Sequence, residues 1–201
     1  ALLAKKTANP IKLRVDRDDD MIITGKRHDF YYKYKVGFSD KGKINGLDLI
    51  LASRCGISPD LSGAINSRAL LHIDNAYYLS NVLVENYLCK TNTSSSTAFR
   101  GFGGNQGMMV IENIIDNIAR SLKKDPLEIR RRNFYQKKKK NITHYNMKIE
   151  DNVMHEIYDQ LIKSSNYKSR QSSIKKFNEK NTYIKKGIAI TPVKFGIRFT
   201  T

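Results

Sequence analysis

The glycine-rich segment 97–107 has the residue types best suited to binding a ligand. Four glycines within seven positions let backbone N–H groups approach a ligand closely, and Arg100 adds a guanidinium that can bind an anion through two donors. A helix that begins here would also direct its positive N-terminal end toward such an anion. The alternative is a tight strand-to-helix connection with Phe99 and Phe102 packed inward, and the spacing alone favours this alternative. The glycine spacing does not match the G-x-G-x-x-G dinucleotide fingerprint.

A second segment, 66–75, places Arg68, His72 and Asp74 among apolar neighbours. A buried arginine needs a partner, so contact with an anionic ligand competes with a plain ion pair, and composition alone favours the ion pair. No second histidine stands near His72 at metal-ligand spacing, so we assign this histidine no role.

A third segment, 194–200, is apolar and contains a glycine that would let another group approach its backbone. Phe199 and Thr200 lie at its end, where a core strand is the favoured interpretation. We expect a strand over residues 187–201, interrupted by Pro192, that leads into a further region of the protein.

Positive charge dominates the composition, with 36 Lys and Arg residues against 19 Asp and Glu residues and a net charge of +17. Such a balance first suggests nucleic acid or an anionic surface as the partner. The densest cluster, seven basic residues in the stretch 130–140, could track phosphates. Because no zinc-finger spacing or aromatic RNA-reading motif accompanies it, a solvated surface is favoured. A nucleic-acid-binding module built on this stretch is the alternative from another functional class.

The hydrophobic pattern indicates which elements would hold these segments in place. Alternating or apolar runs predict four strands, with an antiparallel hairpin turning at 40–42: 11–15, 32–36, 47–51 and 82–90. Helical spacing and capping residues predict helices over 111–122, from Asp125 onward, over 153–161 and over 167–178. The order predicts an α+β fold with mixed or antiparallel strands and packed helices, strand-rich over 1–105 and helical over 106–180.

Two further features limit the class of protein. No apolar run reaches the ~18 residues of a membrane span and no signal-like segment opens the chain, which predicts a soluble, cytoplasmic protein. Cys55 and Cys89 are too few for an iron–sulfur cluster or a four-thiolate zinc site. The chain begins without methionine and ends without a turn signal, so we expect an internal piece of a longer protein.

Five stretches match one known family in order along nearly the whole chain: 16–28, 68–75, 89–92, 97–106 and 191–197. They resemble the molybdenum-binding part of the xanthine dehydrogenase and aldehyde oxidase family of molybdenum hydroxylases. Within that family, Arg68 favours the xanthine dehydrogenases. The resemblance implies that the fold is part of a larger molybdopterin-binding domain.

The resemblance also implies roles for individual residues. Arg100 corresponds to the arginine that contacts the molybdopterin, and Arg68 to the arginine that orients a purine and stabilises negative charge on its ring. Phe102 and Phe199 correspond to two phenylalanines that hold the heterocycle, and Thr200 to a hydroxyl that hydrogen-bonds it. No metal ligand is expected in this chain, because the pterin sulfurs hold the molybdenum.

The implied enzyme acts in purine catabolism and hydroxylates hypoxanthine and xanthine to urate. Its electrons pass through 2Fe–2S clusters and FAD, in another subunit or domain, to NAD. The general-base glutamate would lie beyond Thr201, so we assign no catalytic residue here and expect this chain alone to be inactive. An aldehyde oxidase or other heterocycle hydroxylase is the alternative within the family. We expect a higher oligomer, with no membrane association.

Overall fold

Three strands form a mixed sheet in the computed structural model, which describes residues 1–196. They are β1 (Phe30–Phe38), β2 (Ile44–Gly56) and β3 (Val82–Lys90), arranged in that order across the sheet. β1 pairs antiparallel with β2, whereas β2 pairs parallel with β3. With the helices described below, this confirms the expected α+β architecture and the hairpin between β1 and β2.

Seven helices accompany the sheet within the described residues. They are α1 (Leu2–Thr7), α2 (Arg17–Ile23), α3 (Ser62–Leu71), α4 (Gly104–Leu122), α5 (Pro126–Asn133), α6 (Met154–Ser164) and α7 (Tyr167–Lys180). Asp125 caps α5 as predicted, because its carboxylate accepts the Leu127 N–H at 2.9 Å. Glu128, in the first turn of α5, accepts a hydrogen bond from Lys124 at 3.2 Å. No helix in residues 1–196 is long and apolar enough to cross a membrane.

The core lies between the sheet and α4. Inward-facing residues of β2 alternate along the strand, and Leu49 and Leu51 are fully buried. On α4, Ile111, Ile114 and Ile118 fall at helical spacing and are at most 1% exposed. The apolar periodicity that predicted these two elements therefore marks the residues that pack against each other in one core cluster.

Two predicted strands do not form in the described part of the chain. Residues 11–15 alternate, but Leu13 is 85% exposed and no neighbouring strand pairs with this segment. Residues 187–196 form no strand either, because Pro192 lacks an N–H and its carbonyl oxygen accepts from the Asn75 side chain instead. The strand predicted over 187–201 also includes residues 197–201, which lie outside the described residues.

Helix α3 has no counterpart among the expected elements, although it lies in the part expected to be strand-rich. It buries Ser62, Asn66 and Arg68 together with Ile65 and Ala69. Because half of its inward face is polar, it lacks the apolar stripe by which a helix is recognised from sequence.

Helices α3 and α4 approach closely because glycines at the start of α4 face the backbone of α3. A Cβ on Gly107 would lie 2.3 Å from the carbonyl oxygen of Ala69. Gly103 has φ of 93°, and its Cβ would lie 2.0 Å from the carbonyl oxygen of Ile65. This contact brings the end of the glycine-rich segment against the turns of α3 that carry Arg68.

We expect Gly107→Ala to destabilise the α3–α4 pair by about 2 kcal/mol, because the added methyl must displace the backbone of α3. Amide hydrogen exchange of α3 in the full-length protein measures this local free energy. Gly63→Ala is the matched control, since Gly63 lies on α3 with no atom within 4 Å of its would-be Cβ. That change should stabilise α3 by about 0.5 to 1 kcal/mol, and equal effects of the two substitutions would contradict the packing argument.

Candidate functional site

Arg68 lies on α3 with only 8% of its surface exposed. Its Nη2 donates a hydrogen bond to the carbonyl oxygen of Gly196 at 3.3 Å, and its Cζ stands 4.6 Å from the ring centroid of Phe195. Such hydrogen bonding and cation–π contact lower the free energy of a buried guanidinium. Both partners belong to the extended segment 191–196, which we call the strap.

His72 follows α3 and fixes the backbone that carries Arg68. Its Nδ1 donates to the carbonyl oxygen of Arg68 at 2.8 Å, and its ring centroid lies 5.3 Å from that of Phe195. Burial lowers the pKa of His72, although the hydrogen bond to the Arg68 carbonyl opposes this shift. The imidazole is therefore neutral at pH 7 and adds no second positive charge beside the guanidinium.

The glycine-rich turn packs against both α3 and the strap. Gly103, which packs on α3, directly follows Phe102, and a Cβ on Gly104 would lie 2.8 Å from the ring of Phe195. Phe102 itself has φ of 48°, a backbone conformation that a side-chain-bearing residue adopts only when its surroundings impose it. The structure thus brings the turn of Phe102, the helix of Arg68 and the strap into contact.

Arg100 is exposed on this turn, and a second arginine, Arg27, contacts the turn through Phe99. Phe99 is 58% exposed, so its expected inward packing is wrong, and the Cζ of Arg27 stands 4.4 Å from its ring centroid. Nη1 of Arg27 is buried without a hydrogen-bond partner in residues 1–196, and so is Oε1 of Gln106. Two guanidinium groups therefore lie on or against the turn, and one of them, with Gln106, has a buried atom that no described residue satisfies.

A buried polar cluster binds the strap at Lys194, next to the residues that contact Arg68. Asp74, which is fully buried, accepts a hydrogen bond from the hydroxyl of Tyr135 at 2.7 Å and forms an ion pair with Lys194. Burial lowers the pKa of Lys194, and the carboxylate of Asp74 opposes that shift. Burial also raises the pKa of the Tyr135 hydroxyl, and Asp74 adds to that shift, so the hydroxyl stays a donor. Asp74 of this segment therefore pairs with a lysine of the strap, which is a different ion pair from the one expected for Arg68.

Asn75 adds backbone contacts beside this ion pair. Its Nδ2 donates to the carbonyl oxygen of Pro192 at 2.9 Å, and its Oδ1 accepts the N–H of Lys194 at 3.0 Å. The same Nδ2 donates to Glu112 of α4 at 2.9 Å. One side chain thus ties the strap to α4.

Six of the seven basic residues in the stretch 130–140 are exposed, which confirms the solvated surface that the sequence favoured, and Arg130 is the buried exception. Arg130 is 2% exposed, and its guanidinium donates to Glu112 and to Asp116, each at 2.8 Å. Three further basic residues of the stretch have acidic partners: Arg131 with Asp159, Arg132 with Glu128, and Lys137 with Glu156. More than half of its charges are therefore engaged within the protein, which disfavours a phosphate-tracking surface.

Phe199 and Thr200 lie outside the described residues, and the strap ends three positions before Phe199. No group of three or more His, Cys, Asp or Glu residues within 1–196 is arranged to hold a metal ion. Sequence reasoning missed Lys194, Asn75 and Arg27. Lys194 is 120 positions from Asp74, so no local spacing could have revealed their pairing.

In this fold a glycine-rich turn packs on a helix with a polar buried face. Residues 1–134 match the family model of the molybdopterin cofactor-binding domain, and the chain belongs to this family. Among its relatives, the xanthine dehydrogenase/oxidase of Gallus gallus is 46% identical over 200 residues, which are 100% of this chain and 15% of that protein. The xanthine dehydrogenase of Dictyostelium discoideum is 42% identical over the same shares. The chain therefore spans 15% of the length of these curated relatives.

Solved structures show the same fold. The aldehyde oxidoreductase from Desulfovibrio desulfuricans matches with a TM-score of 0.77 and 23% identity over 90% of this chain and 19% of that chain. The quinoline 2-oxidoreductase from Pseudomonas putida matches with a TM-score of 0.73 and 18% identity over 89% of this chain and 23% of that one. At such identities the likeness concerns the fold.

Proposed function

We propose that the chain supplies part of the substrate and cofactor site of a xanthine dehydrogenase, an oxidoreductase that hydroxylates hypoxanthine and xanthine to urate. The buried Arg68 carries this proposal, because the strap holds its guanidinium in one place. A fixed cation is suited to stabilise negative charge that develops on a purine ring during the reaction. The 46% identity to a xanthine dehydrogenase/oxidase supports the purine over other substrates.

Phe102, Phe199 and Thr200 complete the proposed substrate contacts. Phe102 is on the turn that packs against α3, so it is near the helix that presents Arg68. Flat heterocycles bind well between aromatic rings, with a few polar groups to orient them. In this proposal the phenylalanines hold the purine and the hydroxyl of Thr200 donates or accepts a hydrogen bond at its edge.

The glycine-rich turn fits a molybdopterin cofactor. Arg100 and Arg27 offer guanidinium donors for a phosphate, and the buried Oε1 of Gln106 offers an acceptor for a pterin N–H. The bound group would supply the redox-active molybdenum, held by its own sulfurs. The chain's part is to bind and orient the cofactor and the substrate.

The rest of the proposed enzyme lies in other parts of the protein. Those parts would provide the general-base glutamate, the 2Fe–2S clusters and FAD, with NAD as the final acceptor in a higher oligomer. Cys55 and Cys89 are both free thiols, which fits a reducing compartment and supports a cytoplasmic location.

Steady-state assays of the full-length protein test this proposal. With xanthine, hypoxanthine, benzaldehyde and quinoline as substrates, we expect kcat/KM for xanthine to exceed that for either non-purine by about tenfold or more. A preference for the aldehyde or for quinoline would overturn the purine assignment in favour of another hydroxylase of the family. A purified protein without molybdenum, or one that binds duplex DNA with a steep salt dependence, would overturn the enzyme assignment.

A further inference from the structure

The strap is held by side chains of α3 and of the turn after it, and no strand within residues 1–196 pairs with it. Every second residue of the strap bonds to one of these side chains. The groups involved are the carbonyl oxygen of Pro192, the N–H and ammonium of Lys194, and the carbonyl oxygen of Gly196. Their partners are Asn75, Asp74 and Arg68. Arg68 is thus at once a proposed substrate contact and one end of this set of bonds.

Lys194 is the central and the only charged member among these three strap residues. Its ammonium pairs with the fully buried Asp74 and lies 5.2 Å from the ring centroid of Tyr135 and 5.6 Å from that of Tyr145. A strap shifted by one residue would bring Val193 or Phe195 against the carboxylate and leave a buried charge unpaired. The ion pair therefore selects one register of the strap on α3.

We propose that the Asp74–Lys194 ion pair is a positioning element of the substrate site. It fixes the strap, and the strap sets the place of the Arg68 guanidinium. Neither Asp74 nor Lys194 needs to touch the substrate for this role. The inference rests on the proposed function, since it concerns how the purine contacts of that site are held.

Contacts beside the ion pair show why its loss would reach Arg68. Phe195 directly follows Lys194, and its ring lies against both the guanidinium of Arg68 and the imidazole of His72. Gly196, the next residue, accepts the hydrogen bond of Arg68. Releasing Lys194 frees the two residues that orient the guanidinium, and a misplacement of about 1 Å is enough to weaken binding and catalysis severely.

Lys194→Met in the full-length protein tests this role, because it keeps the length of the side chain and removes its charge. We expect KM for xanthine to rise by about tenfold or more, whereas kcat/KM for benzaldehyde changes less than about twofold. The molybdenum content should be unchanged. Lys194→Arg, which can still pair with Asp74, should restore KM for xanthine to within about threefold of the unmodified protein.

A matched pair of milder substitutions covers the case in which Lys194→Met does not fold. Tyr135→Phe removes one hydrogen bond from Asp74, and Tyr158→Phe removes a buried hydroxyl that donates to the carbonyl oxygen of Leu127 at 2.6 Å, away from the strap. We expect only Tyr135→Phe to raise KM for xanthine relative to benzaldehyde, by about threefold.

Equal losses on both substrates, or the same shift in Tyr158→Phe as in Tyr135→Phe, would overturn the positioning role. An unmodified protein that does not hydroxylate xanthine overturns the proposed function and this inference together. An unmodified protein that does so, with variants of unchanged selectivity, overturns this inference alone.

Discussion

Replacement of Arg68 by methionine in the full-length protein is expected to lower kcat/KM for xanthine by about 100-fold or more. The same change should lower kcat/KM for benzaldehyde by less than about tenfold. Methionine keeps much of the apolar stem but removes the guanidinium, which lies over Phe195 and would stabilise an anionic purine ring in the transition state. A neutral aldehyde has no such ring to stabilise, so it serves as the internal reference.

Arg68→Lys separates charge from shape in the same assay. A lysine keeps the positive charge but lacks the planar fork that reaches the Gly196 carbonyl and stacks on Phe195, so an intermediate loss is expected. Because the strap variants act through Arg68, they should lower kcat/KM for xanthine in the same direction as Arg68→Met but by less. Equal losses on xanthine and benzaldehyde would contradict the assigned role of Arg68.

Arg130→Met is expected to lower the local stability of α4 and α5 by about 3 to 5 kcal/mol. The guanidinium is 3% exposed and bonds to Glu112, itself only 17% exposed, so its removal leaves a carboxylate largely buried beside an apolar side chain. Glu112 also accepts from the hydroxyl of Tyr77 and from Asn75, so the substitution leaves its carboxylate with these neutral donors in place of the guanidinium. Hydrogen exchange of α4 and α5 in the full-length protein measures the change.

Arg131→Met is the control for this prediction because the two arginines are neighbours on one helix. The ion pair of Arg131 with Asp159 is about half exposed on both sides, so its loss should change stability by less than about 1 kcal/mol. If the two substitutions had the same effect, burial would not be the reason for the stability of the Arg130 pair.

The elements predicted from the sequence are those in which burial and periodicity coincide. Ile111, Ile114 and Ile118 repeat at helical spacing because the same face of α4 packs on the sheet, and that repeat suffices to predict the helix. The segment 11–15 shows the converse, since its alternation predicts a strand but no neighbouring strand pairs with it. Periodicity reports which side chains share a face, not whether another strand is there to pair.

The candidate site was predictable from the sequence only through the family resemblance. Arg68 is on a helix with a polar buried face, and its partners in the strap are 128 positions away, so neither the helix nor the contact has a local signal. Arg27 meets the glycine-rich turn through tertiary packing alone. The glycine spacing of residues 97–107 predicted the turn. The groups around the turn come from distant parts of the sequence, which only folding brings together.

The 120 positions between Asp74 and Lys194 also impose an order on biosynthesis. A ribosome that adds about 5 to 20 residues per second needs on the order of 10 s to make the intervening chain. During that interval the β1–β2 hairpin, α3 and α4 can assemble, while the carboxylate of Asp74 has not yet formed its ion pair with Lys194. The nascent domain therefore passes through a stage in which its future site is open and hydrated, and synthesis of the strap closes it.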